Sequence, residues 1–269
     1  MKIDLHNHTK HSDGVLTSSE LIDRARLNKV DIFALTDHDS VFGCDEIEEL
    51  AKNTNVRIIK GMELSTTYDG ESVHIICLFK NNVIPNEILE FSNGLLERRK
   101  ERAIKMMNLI HDIYGLKIDI DLLIKDSQII TRANMMRNIA ICNNISLKEA
   151  SFYISNDSKA YIPSTKMTVI EGINLARRAN CVVIFAHPCL LKKQENVEKI
   201  LQYGFDGIEA RYPSRKNNEE ELTKLAKKYN LFISAGSDCH GDQKHADIGT
   251  MTLNEEEFEP IRRAINFEF

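Results

Sequence analysis

The chain has 269 residues and a formal net charge of -5. Hydrophobic residues make up 42% and charged residues 28%, which is typical of a folded globular protein and excludes a disordered chain. The acidic balance argues against wholesale nonspecific nucleic-acid binding, although a local basic patch stays open. The length allows one large α/β domain or a domain with an inserted cap.

The cellular compartment is predicted from three features of the sequence. No apolar run is long enough for a membrane span, and the first residues lack the basic and apolar stretches of a secretory signal. The six cysteines include no C-x-x-C pair and mostly lie in apolar strand patterns. We therefore expect reduced thiols in a cytoplasmic protein without a membrane contact.

Short apolar segments rich in β-branched residues alternate with helix-like segments, which predicts parallel strands joined by helices. The predicted strands are Lys2–Leu5, Asp31–Leu35, Arg57–Gly61, Val73–Phe79, Cys181–Phe185, Gly207–Ala210 and Leu231–Ser234. Three helix starts have the capping-box spacing, in which a hydroxyl and a carboxylate satisfy free amides reciprocally: Thr17 with Glu20, Ser146 with Glu149, and Thr168 with Glu171.

The alternation of strands and helices stops between residues 91 and 163, where the pattern is helical. We predict a small helical cap over this range, inserted into a barrel domain formed by residues 1–90 and 164–269. From Leu95 to Arg137 there are nine Lys or Arg residues against six Asp or Glu residues, a local net charge of +3. A phosphate-facing surface and an ordinary solvated helix face both explain this excess.

Polar residues of the metal-ligating type follow or begin the predicted strands. The first strand ends in His6-Asn7-His8, and side chains two residues apart in a strand project from the same face. Comparable residues accompany the later strands: Asp37, His38, Asp39, Glu63, His74, His187, Asp238 and His240. The carboxyl ends of barrel strands are where barrel enzymes assemble their active sites.

The histidines sharpen this pattern, because six of the nine lie at such positions, whereas His11, His111 and His245 do not. Asp13, Glu63 and Asp238 accompany the six. Unpaired imidazoles and carboxylates are costly to bury, and divalent cations offset that cost by coordination. The sequence therefore predicts a multinuclear metal site.

The ordered motifs resemble those of the PHP (polymerase and histidinol phosphatase) superfamily over nearly the whole chain outside the insertion. They are His6-Asn7-His8, Ser12-Asp13-Gly14, Thr36-Asp37-His38-Asp39, Glu63, His74, His187-Pro188 and Ser237-Asp238-Cys239-His240. The resemblance implies an α/β fold, a distorted (β/α)7 barrel with the inserted helical cap, and up to three bound metal ions.

The resemblance also implies a ligand set for each ion. One ion would take His6, His8, Glu63 and Asp238, a second would share Glu63 and take His74 and His187, and a third would take Asp13, His38 and His240. Asp37 and Asp39 would orient these ligands, a role that metal-bound histidines usually require. Such a nitrogen-rich set favours manganese, iron or zinc over calcium or magnesium and does not choose among the three.

The activity that the resemblance implies is phosphoester hydrolysis, with attack by a hydroxide that bridges metal ions. An arginine could neutralise the phosphoryl charge, and Arg132 is the first candidate because capped relatives carry an arginine there; Arg211 and Arg102 are the others. His11 could give a proton to the leaving group or be a loop histidine without function. Relatives often have Arg-Pro-His where this chain has Arg132-Ala133-Asn134, which weakens the inferred substrate preference.

Within this activity we expect a small phosphorylated substrate, a nucleotide or short oligonucleotide, and no obligate protein partner. The substrate would be a 3',5'-bisphosphonucleoside that loses its 3'-phosphate, or short RNA trimmed from the 5' end. Two alternatives stay open: a second enzyme, histidinol phosphatase, and a protein of another class, a polymerase-associated or regulatory PHP module that binds metal without turnover. A metal-dependent amidohydrolase is a further alternative, although such enzymes usually contain a ligand lysine.

Overall fold

Eight strands form one sheet that curves into a nearly closed barrel. The computed structural model describes residues 1–125, 130, 132–163 and 167–268. Seven strands follow the order β1-β2-β3-β4-β6-β7-β8, and β5 pairs with β3. Their bounds are β1 Ile3–Asp4, β2 Ile32–Leu35, β3 Arg57–Tyr68, β4 Glu71–Leu78, β5 Met167–Thr168, β6 Val182–Phe185, β7 Gly207–Arg211 and β8 Phe232–Ala235.

The two ends of the sheet meet between β8 and β1. The backbone amide of Leu5 donates to the carbonyl of Ala235 over 3.0 Å, and Asn7 forms a parallel bridge with Cys239 just beyond the two strands. Closing the sheet in this way satisfies backbone groups that an open edge would expose. The prediction of an α/β barrel is therefore confirmed.

Ten helices are present among the described residues. They are α1 Ser18–Leu27, α2 Cys44–Ala51, α3 Asn86–Tyr114, α4 Ile120–Lys125, α5 Arg132–Asn143, α6 Leu147–Tyr153, α7 Val169–Arg178, α8 Asn196–Leu201, α9 Glu219–Tyr229 and α10 Glu255–Ile265. Thr17 and Thr168 form complete capping boxes, whereas Ser146 caps α6 by accepting from the amide of Glu149. The three helix starts predicted from capping spacing are thus found.

The chain divides into two compact units, Met1–Glu90 with Lys166–Phe269, and Phe91–Thr165. In the first unit the alternating apolar residues of the strands form a buried cluster that includes Leu5, Ile59 and Ile184. Helix α10 adds Phe258 and Ile261 to the same cluster. Each such buried side chain contributes about 1.5–3 kcal/mol relative to an exposed one.

One strand departs from the prediction of an all-parallel sheet. Strand β4 runs antiparallel to both β3 and β6. The amino-terminal half of β4 therefore lies at the same end of the barrel as the carboxyl ends of the parallel strands, and the carbonyl of His74 accepts from the amide of Ala186 over 3.2 Å. His74 lies within β4 instead of beginning it, and Glu63 lies within β3, which extends well beyond the predicted end at Gly61.

The second unit is helical in its described residues and has its own core, which includes Met107, Ile110, Met135 and Ile139. That this unit caps the barrel stays a prediction. Within the predicted cap, residues 126–129 and 131, close to Arg132, lie outside the described residues. Ser164, the first residue of the second predicted barrel segment, lies outside them as well. None of the described helices is both long and apolar enough to cross a bilayer.

Candidate metal centre

The carboxylate of Glu63 lies at the middle of a group of histidines and has no solvent exposure. Its Oε1 is 2.8 Å from His187 Nε2 and 3.0 Å from His74 Nδ1. Its Oε2 is 3.1–3.2 Å from nitrogens of three further histidines: His6, His8 and His38. Both oxygens of this one carboxylate therefore face imidazoles, on two different sides.

Asp238 approaches the same group from the segment after β8. Its Oδ1 lies 3.0 Å from His8 Nε2 and 3.4 Å from His6 Nε2. Its Oδ2 accepts a hydrogen bond from the hydroxyl of Tyr212 over 2.8 Å. Tyr212 thereby fixes the carboxylate and leaves only Oδ1 to face the histidines.

A third group lies toward the solvent, around Asp13, whose side chain is 56% exposed. Asp13 Oδ1 is 3.1 Å from His240 Nε2, and Asp13 Oδ2 is 3.7 Å from His38 Nε2. The nine residues predicted as metal ligands are therefore brought together in the barrel unit. Eight of them lie in overlapping groups that could hold a metal ion, and His187 joins them through its contact with Glu63.

Six buried atoms in these groups make no hydrogen bond of normal geometry in the described part of the chain, although imidazole and carboxylate atoms face one another at close range. They are His6 Nε2, His8 Nδ1, His8 Nε2, His38 Nδ1, Glu63 Oε2 and Asp238 Oδ1. Leaving a buried polar atom without a hydrogen bond costs about 1–3 kcal/mol. Six such atoms in one place therefore indicate a further binding partner. Divalent cations accept the lone pairs of imidazole nitrogens and carboxylate oxygens at once, and this donor set fits them.

The pKa values of Glu63 and His8 also favour a site for divalent cations. Burial alone would raise the pKa of Glu63, but the imidazoles of His38 and His6 lower it well below its usual value. Burial would likewise lower the pKa of His8, but the nearby carboxylates of Asp238 and Glu63 raise it to about 10. The carboxylates stay ionised, and the field that attracts protons to the imidazoles also attracts divalent cations, which compete with those protons.

Glu209 in β7 is a functional candidate that the sequence analysis missed. It is fully buried; its Oε1 lies 3.0 Å from His6 Nδ1, and its Oε2 accepts from the amide of His187 over 2.7 Å. A glutamate between apolar residues of a predicted strand was an available signal, because an unpartnered buried carboxylate is costly. Glu209 holds the His6 ring so that Nε2 faces Glu63 and Asp238.

Gly236 makes room for this contact. A Cβ atom at this position would lie 2.2 Å from His6 Cβ and 2.4 Å from Glu209 Oε1. Both distances are far below van der Waals contact, so any larger residue would push His6 and Glu209 apart.

The acidic residues expected to orient the ligands accept hydrogen bonds from nearby backbone amides and hydroxyl groups. Asp37 accepts from the amide and hydroxyl of Thr9, each over 2.7 Å, and from the hydroxyl of Ser12 over 2.5 Å. Asp39 accepts from the amide of Ser65 over 2.8 Å. Asp37 thus fixes the loop that carries Asp13, which is a less direct role than contact with a histidine ring.

Two of the predicted catalytic residues already have carboxylate partners in the barrel unit. The Arg211 guanidinium binds Glu257 through two hydrogen bonds of 2.6 and 2.9 Å, and Glu219 over 2.7 Å. His11 Nε2 lies 3.0 Å from Glu46 Oε2. The role of Arg211 as a phosphate contact stays a prediction, but this geometry favours a structural ion pair, because its charge is compensated.

The other two arginines predicted as phosphate contacts, Arg102 and Arg132, lie in the helical unit beside one aromatic ring. The guanidinium carbons of Arg102 and Arg132 are each 5.5 Å from the centroid of the Tyr161 ring. Arg132 Nη2 donates to the Asn156 side-chain oxygen over 2.7 Å, and Arg102 Nε donates to the Ile162 carbonyl over 2.7 Å. These hydrogen-bond partners are neutral, so they leave the positive charge of both guanidinium groups uncompensated and available to an anionic ligand.

An α/β barrel that gathers histidines and carboxylates at one end defines a metal-binding barrel protein. A family model described as the PHP domain matches residues 4–235. The chain belongs to the PHP family, and the family predicted from its motifs is confirmed.

Curated relatives cover most of the chain. A protein from Haemophilus influenzae, named 5'-3' exoribonuclease, is 30% identical over 89% of this chain and 90% of its own. A protein from Chromobacterium violaceum, named 3',5'-nucleoside bisphosphate phosphatase, is 26% identical over 98% of this chain and 94% of its own. These names agree with the predicted class of enzyme, a phosphoester hydrolase of the PHP type.

A solved structure shows the same fold. It is a protein from Bifidobacterium adolescentis that is provisionally assigned as a metal-dependent phosphoesterase. It superposes with a TM-score of 0.76 at 23% identity and covers 97% of this chain and 96% of its own. At this identity the likeness supports the fold alone.

Proposed function

We propose that the chain hydrolyses phosphate esters of nucleotides with the help of three divalent cations, manganese, iron or zinc. The observation that carries the proposal is the set of six buried ligand atoms around Glu63 that make no hydrogen bond of normal geometry. An ordinary core does not need so many imidazole and carboxylate atoms directed at one volume. Such atoms could form hydrogen bonds with water at the surface at a lower free-energy cost than in the interior.

Three overlapping ligand sets are proposed, as the motifs predict. The inner ion takes His6, His8, Glu63 and Asp238, the second takes Glu63, His74 and His187, and the outer ion takes Asp13, His38 and His240. The two oxygens of Glu63 face different histidines, which suits a carboxylate shared by two ions. The outer set includes the most exposed ligand, Asp13, and so faces the solvent from which a substrate arrives.

Bound divalent cations would lower the pKa of water and neutralise phosphoryl oxygens. The residues of the chain hold this machinery in place. Glu209 orients His6 and Tyr212 orients Asp238, so that these ligands keep one geometry while substrate enters and product leaves. His11, whose ring is held beside Glu46, is proposed as the proton donor to the leaving group.

Nucleotides are the proposed substrate class, because the relatives from Haemophilus influenzae and Chromobacterium violaceum are named for RNA and for a bisphosphonucleoside. Both substrates have a phosphoester next to a ribose. The group formed by Arg102, Tyr161 and Arg132 suits such a ligand, since arginines bind phosphate oxygens and an aromatic ring can stack on a base. We propose Arg132 as the phosphate contact.

The test is an assay of the manganese-reconstituted protein on three substrates in parallel: 3',5'-adenosine bisphosphate, a short 5'-phosphorylated RNA and histidinol phosphate. Release of AMP from the bisphosphate, or of mononucleotides from the RNA, is the expected result. The His8→Ala variant serves as the matched control, because it removes a ligand without touching the helical unit.

Two other results would reject the proposal. Release of phosphate from histidinol phosphate alone would make the protein a histidinol phosphatase. No release from any of the three, with metal content confirmed, would favour a PHP module that binds metal without turnover.

A further inference from the structure

His245 lies against the outer group of ligands, although it is outside every motif that predicted the site. Its ring stacks on that of His240, with the centroids 4.0 Å apart and the planes inclined by 24°. One potential ligand atom from each of Asp238, His240 and His245 lies within 4.8 Å of the other two. The loop after β8 thus brings a second histidine, besides His240, to the edge of the proposed centre.

The His245 ring is held in a single orientation by Asp242. The Nδ1 atom of His245 lies 2.9 Å from Asp242 Oδ1, and the same oxygen accepts from the amides of Lys244 and His245, each over 2.9 Å. A carboxylate oxygen that faces Nδ1 at hydrogen-bond distance favours the tautomer with the proton there, which leaves the lone pair on Nε2.

This pairing of a carboxylate with one ring nitrogen is the usual arrangement of a metal-bound histidine, whose other nitrogen binds the ion. A histidine that only covered His240 would need no such partner. At 37% side-chain exposure, His245 also lies where an ion can be approached from solvent.

We propose that His245 is a further ligand of the ion that His240 binds. The proposal rests on the metal centre of the proposed function and adds to it. His240 belongs both to the outer group with Asp13 and His38 and to a second group with Asp238 and His245, so His245 would add a nitrogen donor next to His240. An additional nitrogen donor strengthens the preference for zinc, cobalt or iron over magnesium and slows loss of the outermost ion.

The experiment is a titration of the metal-stripped 269-residue protein with Co²⁺, followed by calorimetry and by the visible absorption of the bound ion. Four variants are compared: His245→Ala, His245→Phe, Asp242→Asn and His111→Ala. His245→Phe keeps a ring to stack on His240 but has no donor nitrogen. His111, in α3 of the helical unit, is the matched control for removal of a histidine.

We expect the wild-type protein and His111→Ala to bind the same number of ions with the same spectrum. His245→Ala and His245→Phe should both lower the binding affinity for one ion by on the order of 100-fold and change the Co²⁺ absorption. Asp242→Asn should lower that affinity by about 10-fold. Wild-type affinity and spectrum in His245→Phe would show that His245 only packs on His240, and would overturn the inference while the metal centre stands. A wild-type protein that binds no Co²⁺ would overturn the metal centre as well.

Discussion

Glu209 Oε1 lies 3.0 Å from His6 Nδ1, and neither side chain has any solvent exposure. The contact orients the first histidine of the chain through a carboxylate that follows it by 203 positions. Because the second oxygen of Glu209 accepts from the amide of His187, one side chain connects β7 with the segments after β1 and β6.

The substitution Glu209→Gln tests this positioning role. A carboxamide has a single acceptor oxygen, so either the contact with His6 or that with the His187 amide is lost. We expect metal affinity and kcat/KM to fall by about 10–100-fold, as for other residues that orient a metal-bound histidine. Calorimetric metal titration and steady-state kinetics measure both effects.

Glu220→Gln, on the exposed surface of α9, is the control for Glu209→Gln and should leave both quantities unchanged. Rescue of a Glu209→Gln protein by higher metal concentration would support the positioning role. Wild-type metal affinity in that variant would contradict it.

Gly236→Ala should be disruptive although it adds one methyl group. The new Cβ would lie 2.2 Å from His6 Cβ, so His6 has to move. We expect a loss of about 1–3 kcal/mol in the free energy of unfolding, together with weaker metal binding. Urea denaturation of the metal-free protein measures the first effect separately from the second.

Gly94→Ala in α3 is the matched control, because the nearest atom to its new Cβ is the flexible end of Arg98 at 3.1 Å. Replacing a helical glycine by alanine should raise the free energy of unfolding by about 0.5–1 kcal/mol. Equal stability changes in Gly236→Ala and Gly94→Ala would refute the steric argument.

Removal of metal should lower the thermal stability of the wild-type protein. A ligand that binds only the folded state at 100 times its Kd adds about 2.7 kcal/mol, so chelation should lower Tm by several degrees. His8→Ala and Asp238→Ala should abolish activity and reduce the response to metal while the far-UV circular dichroism stays unchanged. Activity retained by both variants after metal removal would exclude the proposed mechanism.

Arg132→Ala should weaken the hydrolysis of phosphate esters without removing metal. A charged hydrogen bond to phosphate contributes about 1.5–3 kcal/mol, which corresponds to a loss of about 10–100-fold in kcat/KM. Arg137→Ala on the same helix, α5, is the control, since it removes an equal charge. Wild-type kinetics for Arg132→Ala would place the phosphate contact on another residue, with Arg102 the next to test.

The ion pair of Arg211 with Glu257 predicts a dependence of stability on pH. The hydrogen bond from Arg211 lowers the pKa of Glu257 from 4.5 to about 2 in the folded protein. Its contribution is therefore fully present above pH 4.5 and is lost as the pH falls toward 2. Because the carboxylate is partly exposed, we expect on the order of 1 kcal/mol after solvent screening.

The measurement is the free energy of unfolding of Glu257→Gln and of the wild-type protein between pH 2.5 and 7. The difference should be largest near neutral pH and shrink below pH 4. A difference that is constant over this range would show that the pair does not act through the ionisation of Glu257. Unchanged kinetics in Arg211→Ala would agree with a structural role for that arginine.

The sequence by itself determined the family, the barrel and the nine candidate ligands, because these depend on local features. Strands are indicated by short apolar segments, and the residues at their ends are adjacent in sequence to those segments, as with His8 after β1 and His187 after β6. Capping residues such as Thr17 act within four positions and could be predicted for the same reason.

Only the tertiary structure decided which residues support those ligands. Strand β4 runs antiparallel to its neighbour β3, and its pairing with β6, more than a hundred residues away, brings His74 beside the segment after β6. Glu209, Tyr212 and Asp242 are ordinary polar residues in the sequence and gain a role through the atoms that they contact. Hydrogen bonds between distant segments depend on distance and direction in space, which periodicity along the chain does not contain.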